Sequence, residues 1–149
     1  MKILLATDGS AHSQTMLKEF AGRTFAANTK VRIISAYEGG SYMLNTAPMG
    51  ALSQYYAEAD SLAIKAAEEA TENAAVILRK KNPELFISVA AIEGSPKSAI
   101  LKEAETFGAD LIVLGSHGHG AVAGFLLGSV SQAVALHAKC SVEIVRNKK

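Results

Sequence analysis

Largely apolar runs of four to eight residues alternate with amphipathic helical patterns along this sequence of 149 residues. The runs predict five strands, at residues 3–6, 31–37, 85–92, 111–114 and 142–145. Continuous apolar strands are typical of a parallel sheet that is buried on both faces. Because helical patterns separate the strands, we expect right-handed βαβ units. We therefore predict an α/β fold, a single domain over residues 1–149, with one open, doubly wound, mostly parallel five-stranded sheet and four helices.

The helical patterns have recognisable faces and ends. The first is marked by apolar residues at spacings of three and four, namely Met16, Leu17, Phe20, Ala21 and Phe25. Residues 51–81 contain no Gly or Pro and predict one long helix before Asn82-Pro83. Its predicted apolar face comprises Leu52, Tyr55, Ala59, Leu62, Ala66, Ala70, Ala74, Ile77 and Leu78. Ser95-Pro96 predicts the start of the third helix and Gly108 its end, and a short fourth helix is expected over about 129–138.

Composition and charge disfavour several classes of partner. Fifteen basic residues face fourteen acidic ones without forming a basic stripe, so nucleic acid and anionic membranes are disfavoured. The single cysteine, Cys140, excludes an intramolecular disulfide. No stretch approaches the ~18 apolar residues of a membrane span, and the apolar stretch at the N-terminus is too short for a signal peptide. We expect a cytoplasmic protein.

The order of the strands predicts where a ligand binds. If the first three strands spread to one side and the last two to the other, the order is 3-2-1-4-5, in a Rossmann-like arrangement. The first and fourth strands are then neighbours at the switch point, where open α/β sheets bind ligands. Their carboxyl ends are followed by Thr7-Asp8-Gly9-Ser10 and by Gly115-Ser116-His117-Gly118. The two motifs are therefore expected to form one crevice.

The second of these motifs has the features of a phosphate site. Gly115-Ser116-His117-Gly118 is followed, after nine residues, by Gly128-Ser129 at the start of the fourth helix. Glycines let backbone N–H groups approach an anion, and a helix N-terminus adds donors and the positive end of its dipole. The sequence thus predicts a nucleotide-binding protein.

At these residues the chain resembles the universal stress protein family, in its ATP-binding branch. That branch is marked by Gly, two residues, Gly, nine residues, then Gly and Ser or Thr, which Gly115, Gly118, Gly128 and Ser129 match. The resemblance covers almost the whole chain and includes residues 6–10, 94–96 and 110–118. One departure is Ser141, where many relatives have Pro.

The resemblance implies a set of contacts with the base and the ribose of ATP, or of AMP or ADP. The backbone of Ala36 would pair with the adenine edge, and Ala6 and Thr7 would line the same wall. Gly94 would approach the ribose or the base. Asp8 would lie near the ribose and metal-bridged phosphates. From its chemistry alone, Asp8 needs Mg²⁺ or a hydroxyl group as a partner, or it caps the first helix.

The resemblance also implies phosphate contacts from Gly115, Gly118, Gly128 and Ser129, flanked by Ser116, His117 and Val130. The hydroxyl of Ser129 could equally be a plain N-cap, since the two geometries are nearly the same. His117 and His119 alternate as two metal ligands could, but a glycine loop is a poor scaffold for a metal site. A phosphate-facing or solvent-facing role is the expectation for both.

Catalysis is not expected from this loop. It is not a Walker A motif, and no Lys or Arg lies between Gly115 and Lys139 to stabilise charge in phosphoryl transfer. We assign no catalytic residue and expect a sensor or regulatory protein with little or no hydrolysis. A slow Mg-dependent ATPase and a ligand-free dimeric interaction module are the alternatives.

We also make predictions for the last strand and for the loop after the second strand. The last strand, from Ser141 to Arg146, is a predicted sheet edge, and relatives in the resembled family pair this strand across a two-fold axis. A homodimer is therefore expected, unless Glu143 and the Lys148-Lys149 tail block the edge. The loop from Glu38 to Gly50 is either a lid or a variable excursion.

Overall fold

Strands and helices alternate strictly in the computed structural model, which describes residues 1–40, 52–117 and 127–146. The elements, in chain order, are β1 (Lys2–Ala6), α1 (Ala11–Ala21), β2 (Lys30–Tyr37), α2 (Leu52–Lys81), β3 (Phe86–Glu93), α3 (Pro96–Phe107), β4 (Leu111–Gly115), α4 (Ser129–His137) and β5 (Ser141–Val145). Their bounds agree with the predicted ones to within one or two residues, except at the end of α1.

The five strands form one sheet in the order β3-β2-β1-β4-β5, and every neighbouring pair is parallel. This confirms the predicted fold class and strand order. Ala6 pairs with Leu114 across β1 and β4, so the chain leaves these two strands side by side at their carboxyl ends. The reversal of strand order thus lies between the two predicted loop motifs.

Both faces of the sheet are covered by helices. Ile3 and Leu5 belong to the apolar cluster that contains side chains of α1 and α2, while Leu4 belongs to the cluster with side chains of α3 and α4. All three side chains are almost fully buried. Because successive side chains of a strand point to opposite faces, burial on both faces requires apolar residues at every position. This explains the continuous apolar run of β1.

The predicted apolar face of α2 is wrong in its first half. Tyr55 and Leu62 are 69% and 64% exposed, whereas Ala67 and Thr71 are buried against the core. The N-terminal half of α2 carries apolar residues on more than one side, and helical periodicity does not say which side meets the sheet. Further along the same helix, Leu78 is buried as predicted.

Phe25 also lies outside the helix in which its spacing placed it. α1 ends at Ala21 with Gly22 as its C-cap. The chain nevertheless returns Phe25 to the core, where its ring centroid lies 5.0 Å from that of Phe20. The apolar side chain was correctly identified as part of the core, but the helix that would carry it is shorter.

Candidate functional site

The loop that follows β1 is held by its own hydrogen bonds. The Thr7 hydroxyl donates to Ser13 Oγ at 3.1 Å, and the Gly9 N–H donates to Thr7 Oγ1 at 3.3 Å. Gly9 has a φ of +75°, a conformation that favours glycine. Ser10 is the N-cap of α1, because its side chain accepts the N–H of Ser13 at 3.3 Å. The start of α1 is therefore rigidly attached to the end of β1.

Asp8 is not the N-cap of α1, although the sequence left that role open. Its Oδ1 accepts the N–H of Ser10 at 3.0 Å, which is an Asx turn that shapes the loop. The side chain is half-buried at the carboxyl end of β1. One oxygen of the carboxylate thus has a structural role at the position where the resemblance implies contact with the ribose or a metal-bridged phosphate.

The segment that follows β4 is fixed to both β5 and α4. Ser116 donates its N–H to the carbonyl of Val145 at 2.9 Å, and its own carbonyl accepts the N–H of Gly128 at 2.8 Å. The Ser131 hydroxyl donates to the carbonyl of Gly115 at 2.8 Å. These bonds hold the first turn of α4 against the end of β4. Gly118 and His119 lie outside the described residues.

Gly128, and not Ser129, is the N-cap of α4. Gly128 has φ −56° and ψ 150°, and Ser129 is the first residue of the helix. The cap therefore supplies no side-chain hydrogen bond to the N–H groups of the first turn. Ser129 is exposed, and Val130 is half-buried and packs against the cluster of α3 and α4. The structure thus gives the Ser129 hydroxyl no capping role.

The backbone conformation at position 115 does not require a glycine. Its φ lies outside the left-handed region, in contrast to those of Gly9 and Gly94. A Cβ at this position would lie 3.5 Å from the carbonyl oxygen of His117 and 3.7 Å from that of His12, which is ordinary van der Waals contact. The fold tolerates a larger residue here, so the glycine is not explained by the protein's own packing.

Ala36 and Gly94 also lie at the carboxyl ends of the strands, on the side of β1 that is away from β4. Ala36 is near the end of β2, and Gly94 follows β3 and donates its N–H to Tyr37 at 2.9 Å. Gly94 has a φ of +134°, and a Cβ added to it would meet nothing within 4 Å. These positions lie one and two strands from β1 in the sheet. Adjacent strands are about 4.8 Å apart, so both positions are within reach of a ligand at the end of β1. The predicted base-side and phosphate-side residues therefore share one edge.

Sequence reasoning missed His12. The first turn of α1 brings its ring against His117, with a centroid separation of 5.7 Å and an interplanar angle of 49°. Both residues are half-buried. His117 Nδ1 lies 3.0 Å from the hydroxyl oxygen of Ser116, which is buried. The position of His12, directly after the loop from the switch-point strand, is the signal that could have identified it.

Two features are absent from the described parts of the chain. Residues 1–40, 52–117 and 127–146 contain no group of three or more His, Cys, Asp or Glu side chains that could hold a metal ion. No helix among them is long and apolar enough to cross a membrane. Cys140 lies just before β5, at the amino ends of the strands and so away from this site. Burial raises the pKa of its thiol. It is not part of this site.

An ion pair ties β5 to the end of α1. The guanidinium of Arg23 contacts both carboxylate oxygens of Glu143, one of them at 2.8 Å. This hydrogen-bonded charge lowers the pKa of Glu143 below its ordinary value and raises that of Arg23. β5 is the last strand of the sheet in that direction, and Glu143 is its only charged residue. The acidic group at this edge is therefore neutralised within the chain.

The Universal stress protein family model matches residues 1–146. A "Putative universal stress protein" of Staphylococcus epidermidis is 35% identical over 150 residues, which cover 98% of this chain and 84% of that protein. The solved structure of the hypothetical protein MJ0577 superposes with a TM-score of 0.82 at 24% identity, covering 99% of this chain and 96% of that one. A universal stress protein solved in complex with cAMP gives a TM-score of 0.67 at 25% identity, over 98% and 96% of the two chains.

Proposed function

This chain belongs to the universal stress protein family, and from that premise we propose that it binds an adenine nucleotide at the carboxyl ends of β1 and β4. The observation that carries the proposal is the convergence of two loop motifs, 7–10 and 115–117, on the point where strand order reverses. A family member that is 25% identical was solved with cAMP, which supports an adenine nucleotide as the ligand class.

The phosphates are proposed to lie between the end of β4 and the start of α4. Three features support this: Gly115 is not required by the fold, Gly128 leaves the first turn of α4 without a side-chain cap, and Ser131 holds the two elements together. The backbone of Gly115, Gly118, Gly128 and Ser129 would then lie against the anion, flanked by Ser116, His117 and Val130. The N–H of Gly128 is donated to Ser116, so Gly128 would contribute close approach of its backbone and not a hydrogen bond.

The base and the ribose are proposed to extend from β1 toward β2 and β3. The backbone of Ala36 would pair with the adenine edge, and Ala6 and Thr7 would line the wall beside it. Gly94 supports this direction, because a Cβ there would enter open space and its φ of +134° favours glycine. Asp8 would meet the ribose, or the phosphates through Mg²⁺, while its Oδ1 holds the Asx turn.

ATP is the proposed nucleotide, and the proposed role is that of a sensor or regulatory protein with little or no hydrolysis. The sequence between Gly115 and Lys139 contains no Lys or Arg. Backbone amides hold phosphates in the ground state but supply little of the extra stabilisation that phosphoryl transfer requires. A slow Mg-dependent ATPase is the competing function, and turnover that requires Mg²⁺ and is lost in Gly118→Val would favour it.

A homodimer through β5 is the proposed assembly. β5 ends the sheet, and Val142 and Ile144 present half-buried apolar side chains on it. The ion pair between Glu143 and Arg23 supports this assembly, because it removes the free charge that would otherwise discourage strand pairing. Light scattering at micromolar concentration should give about twice the chain mass of 15.6 kDa. A mass near 15.6 kDa with nucleotide present would exclude the dimer.

The nucleotide proposal is tested first on the purified protein as it comes from cells. Denaturation should release a co-purified ligand, which mass spectrometry identifies. Calorimetric titration of ligand-free protein with ATP, ADP, AMP and cAMP, with and without Mg²⁺, then ranks the ligands. The absence of binding to all four would refute the proposal, and phosphate release from ATP at a rate above that of a Gly118→Val control would favour the ATPase.

A further inference from the structure

We propose that His12 and His117 act together as a proton-coupled phosphate contact, so that the affinity for a nucleotide rises as the pH falls. This inference rests on the proposed nucleotide site and adds to it the groups that provide positive charge. It assigns a binding role to His12, which the sequence motifs do not include.

The structure places the two imidazoles on different elements that meet at the site. His12 is in the first turn of α1, and His117 follows β4, with 5.7 Å between their ring centroids. The ring of His117 is anchored through its Nδ1, which lies 3.0 Å from Ser116 Oγ. Ser116 is in turn held by backbone hydrogen bonds to Val145 and Gly128. The pair therefore lies at the end of β4, next to the position proposed for the phosphates.

The groups around the two imidazoles differ in charge, and few of them could balance the negative charge of a phosphate. Asp8 brings a negative charge from the loop after β1, and Arg146 follows β5 next to Ser116. Glu38 and Glu93, at the ends of β2 and β3, lie two and three strands from β4. α2 approaches the loop with the methyl group of Ala70, and α4 approaches with the hydroxyl of Ser131. Among these groups, the imidazoles and Arg146 are the ones that can carry positive charge.

The close contact of the two rings couples their protonation to the anion. A second positive charge beside the first is unfavourable in an empty site, and a phosphate between or beside the rings offsets that repulsion. The charge of an ordinary histidine changes between about pH 5 and 8, so the coupling is tested over that range. Nucleotide binding near neutral pH should therefore be accompanied by proton uptake. Above about pH 6.5 a terminal phosphate remains mostly dianionic, so its own titration has little influence.

The test is calorimetric titration with ADP at pH 6.5, 7.5 and 8.5, repeated in buffers of different ionisation enthalpy to measure proton uptake. The wild-type protein should bind ADP about fivefold more tightly at pH 6.5 than at pH 8.5, because tenfold tighter binding to one protonated imidazole is only half expressed near the ordinary pKa of histidine. Adenosine, which lacks the phosphate, should bind with little dependence on pH.

Variants at the two rings assign the effect. His12→Gln and His117→Gln should each lose most of the pH dependence, while His12→Lys should bind ADP at pH 8.5 more tightly than the wild type does. His137→Gln is the matched control, since His137 is exposed at the other end of α4. Adenosine binding by each variant shows that the site is still folded.

The outcomes separate this inference from the proposed function. ADP binding without pH dependence, or with the same dependence in His12→Gln as in His137→Gln, would overturn the role of the imidazole pair and leave the nucleotide site standing. No binding of ADP or adenosine at any pH would overturn both.

Discussion

Replacement of Gly115 by alanine separates what the fold requires at this position from what the proposed ligand requires. The new Cβ would lie 3.5 and 3.7 Å from two carbonyl oxygens, and the φ of Gly115 is outside the left-handed region. Gly→Ala at such a position stabilises a protein by about 0.4–1 kcal/mol, because the unfolded chain has less entropy to lose. For a chain of this size, Tm should rise by about 1–4 °C.

Nucleotide affinity should change in the opposite direction. A methyl group at Gly115 would occupy the approach of a phosphate to the backbone and remove about one hydrogen bond to a charged group, worth about 1.5–3 kcal/mol. Since about 1.4 kcal/mol corresponds to a factor of ten, Kd for ADP should rise roughly 10- to 150-fold. A variant that is more stable and binds less tightly is difficult to explain by damage to the fold.

Gly22→Ala is the matched control for this experiment. A Cβ at Gly22 would lie 3.5 and 3.7 Å from the carbonyl oxygens of Glu19 and Lys18, nearly the same contacts as at Gly115. Gly22 caps the other end of α1, far from the carboxyl edge of the sheet, and its φ of −78° suits alanine. Thermal unfolding and calorimetry should show similar stability for both variants and a loss of affinity only in Gly115→Ala. Equal affinities would remove Gly115 from the phosphate contacts, and a destabilisation of Gly115→Ala beyond about 2 kcal/mol would refute the conformational argument.

Three further predictions concern single side chains. Glu143→Gln should lower the free energy of unfolding by about 0.2–1 kcal/mol at pH 7, since this ion pair is partly exposed. Arg23 lowers the pKa of Glu143, so the stabilisation from this ion pair is present at neutral pH and is lost as the pH falls through that lowered pKa. In urea unfolding from pH 8 to pH 3, the free energies of unfolding of the two proteins should therefore converge. A difference that stays constant with pH would contradict this. Gly118→Val should abolish ADP binding in calorimetry, because the motif places a glycine where a branched side chain would meet the anion. Unchanged affinity would refute the proposed phosphate site between β4 and α4. Asp8→Asn keeps an acceptor for the N–H of Ser10 and should weaken ATP binding more with Mg²⁺ than without it; an equal loss in both conditions would indicate contact with a hydroxyl and not with a metal.

Several features of this protein could be read from the sequence because they depend on local chemistry. A strand buried on both faces must be apolar at every position, so β1 and β4 are visible as uninterrupted runs. Pro96 and Gly108 mark the ends of α3 because their backbone preferences suit those positions. The spacing of Gly115, Gly118, Gly128 and Ser129 identifies the family. The dimer, the cytoplasmic location and the individual nucleotide contacts stay predictions.

Other features were decided only by tertiary packing. The N-caps of α1 and α4 are Ser10 and Gly128, whereas the sequence had left a capping role open for Asp8 and Ser129. The outward position of Tyr55 and Leu62 on α2 depends on which side of the helix meets the core.

The contacts between His12 and His117 and between Arg23 and Glu143 join residues more than a hundred positions apart. Such pairs exist because β1 and β4 are neighbours in the sheet and α1 packs against β4, next to β5. A local pattern carries no information about a partner at that separation, since only the packing of the whole sheet brings the two side chains together.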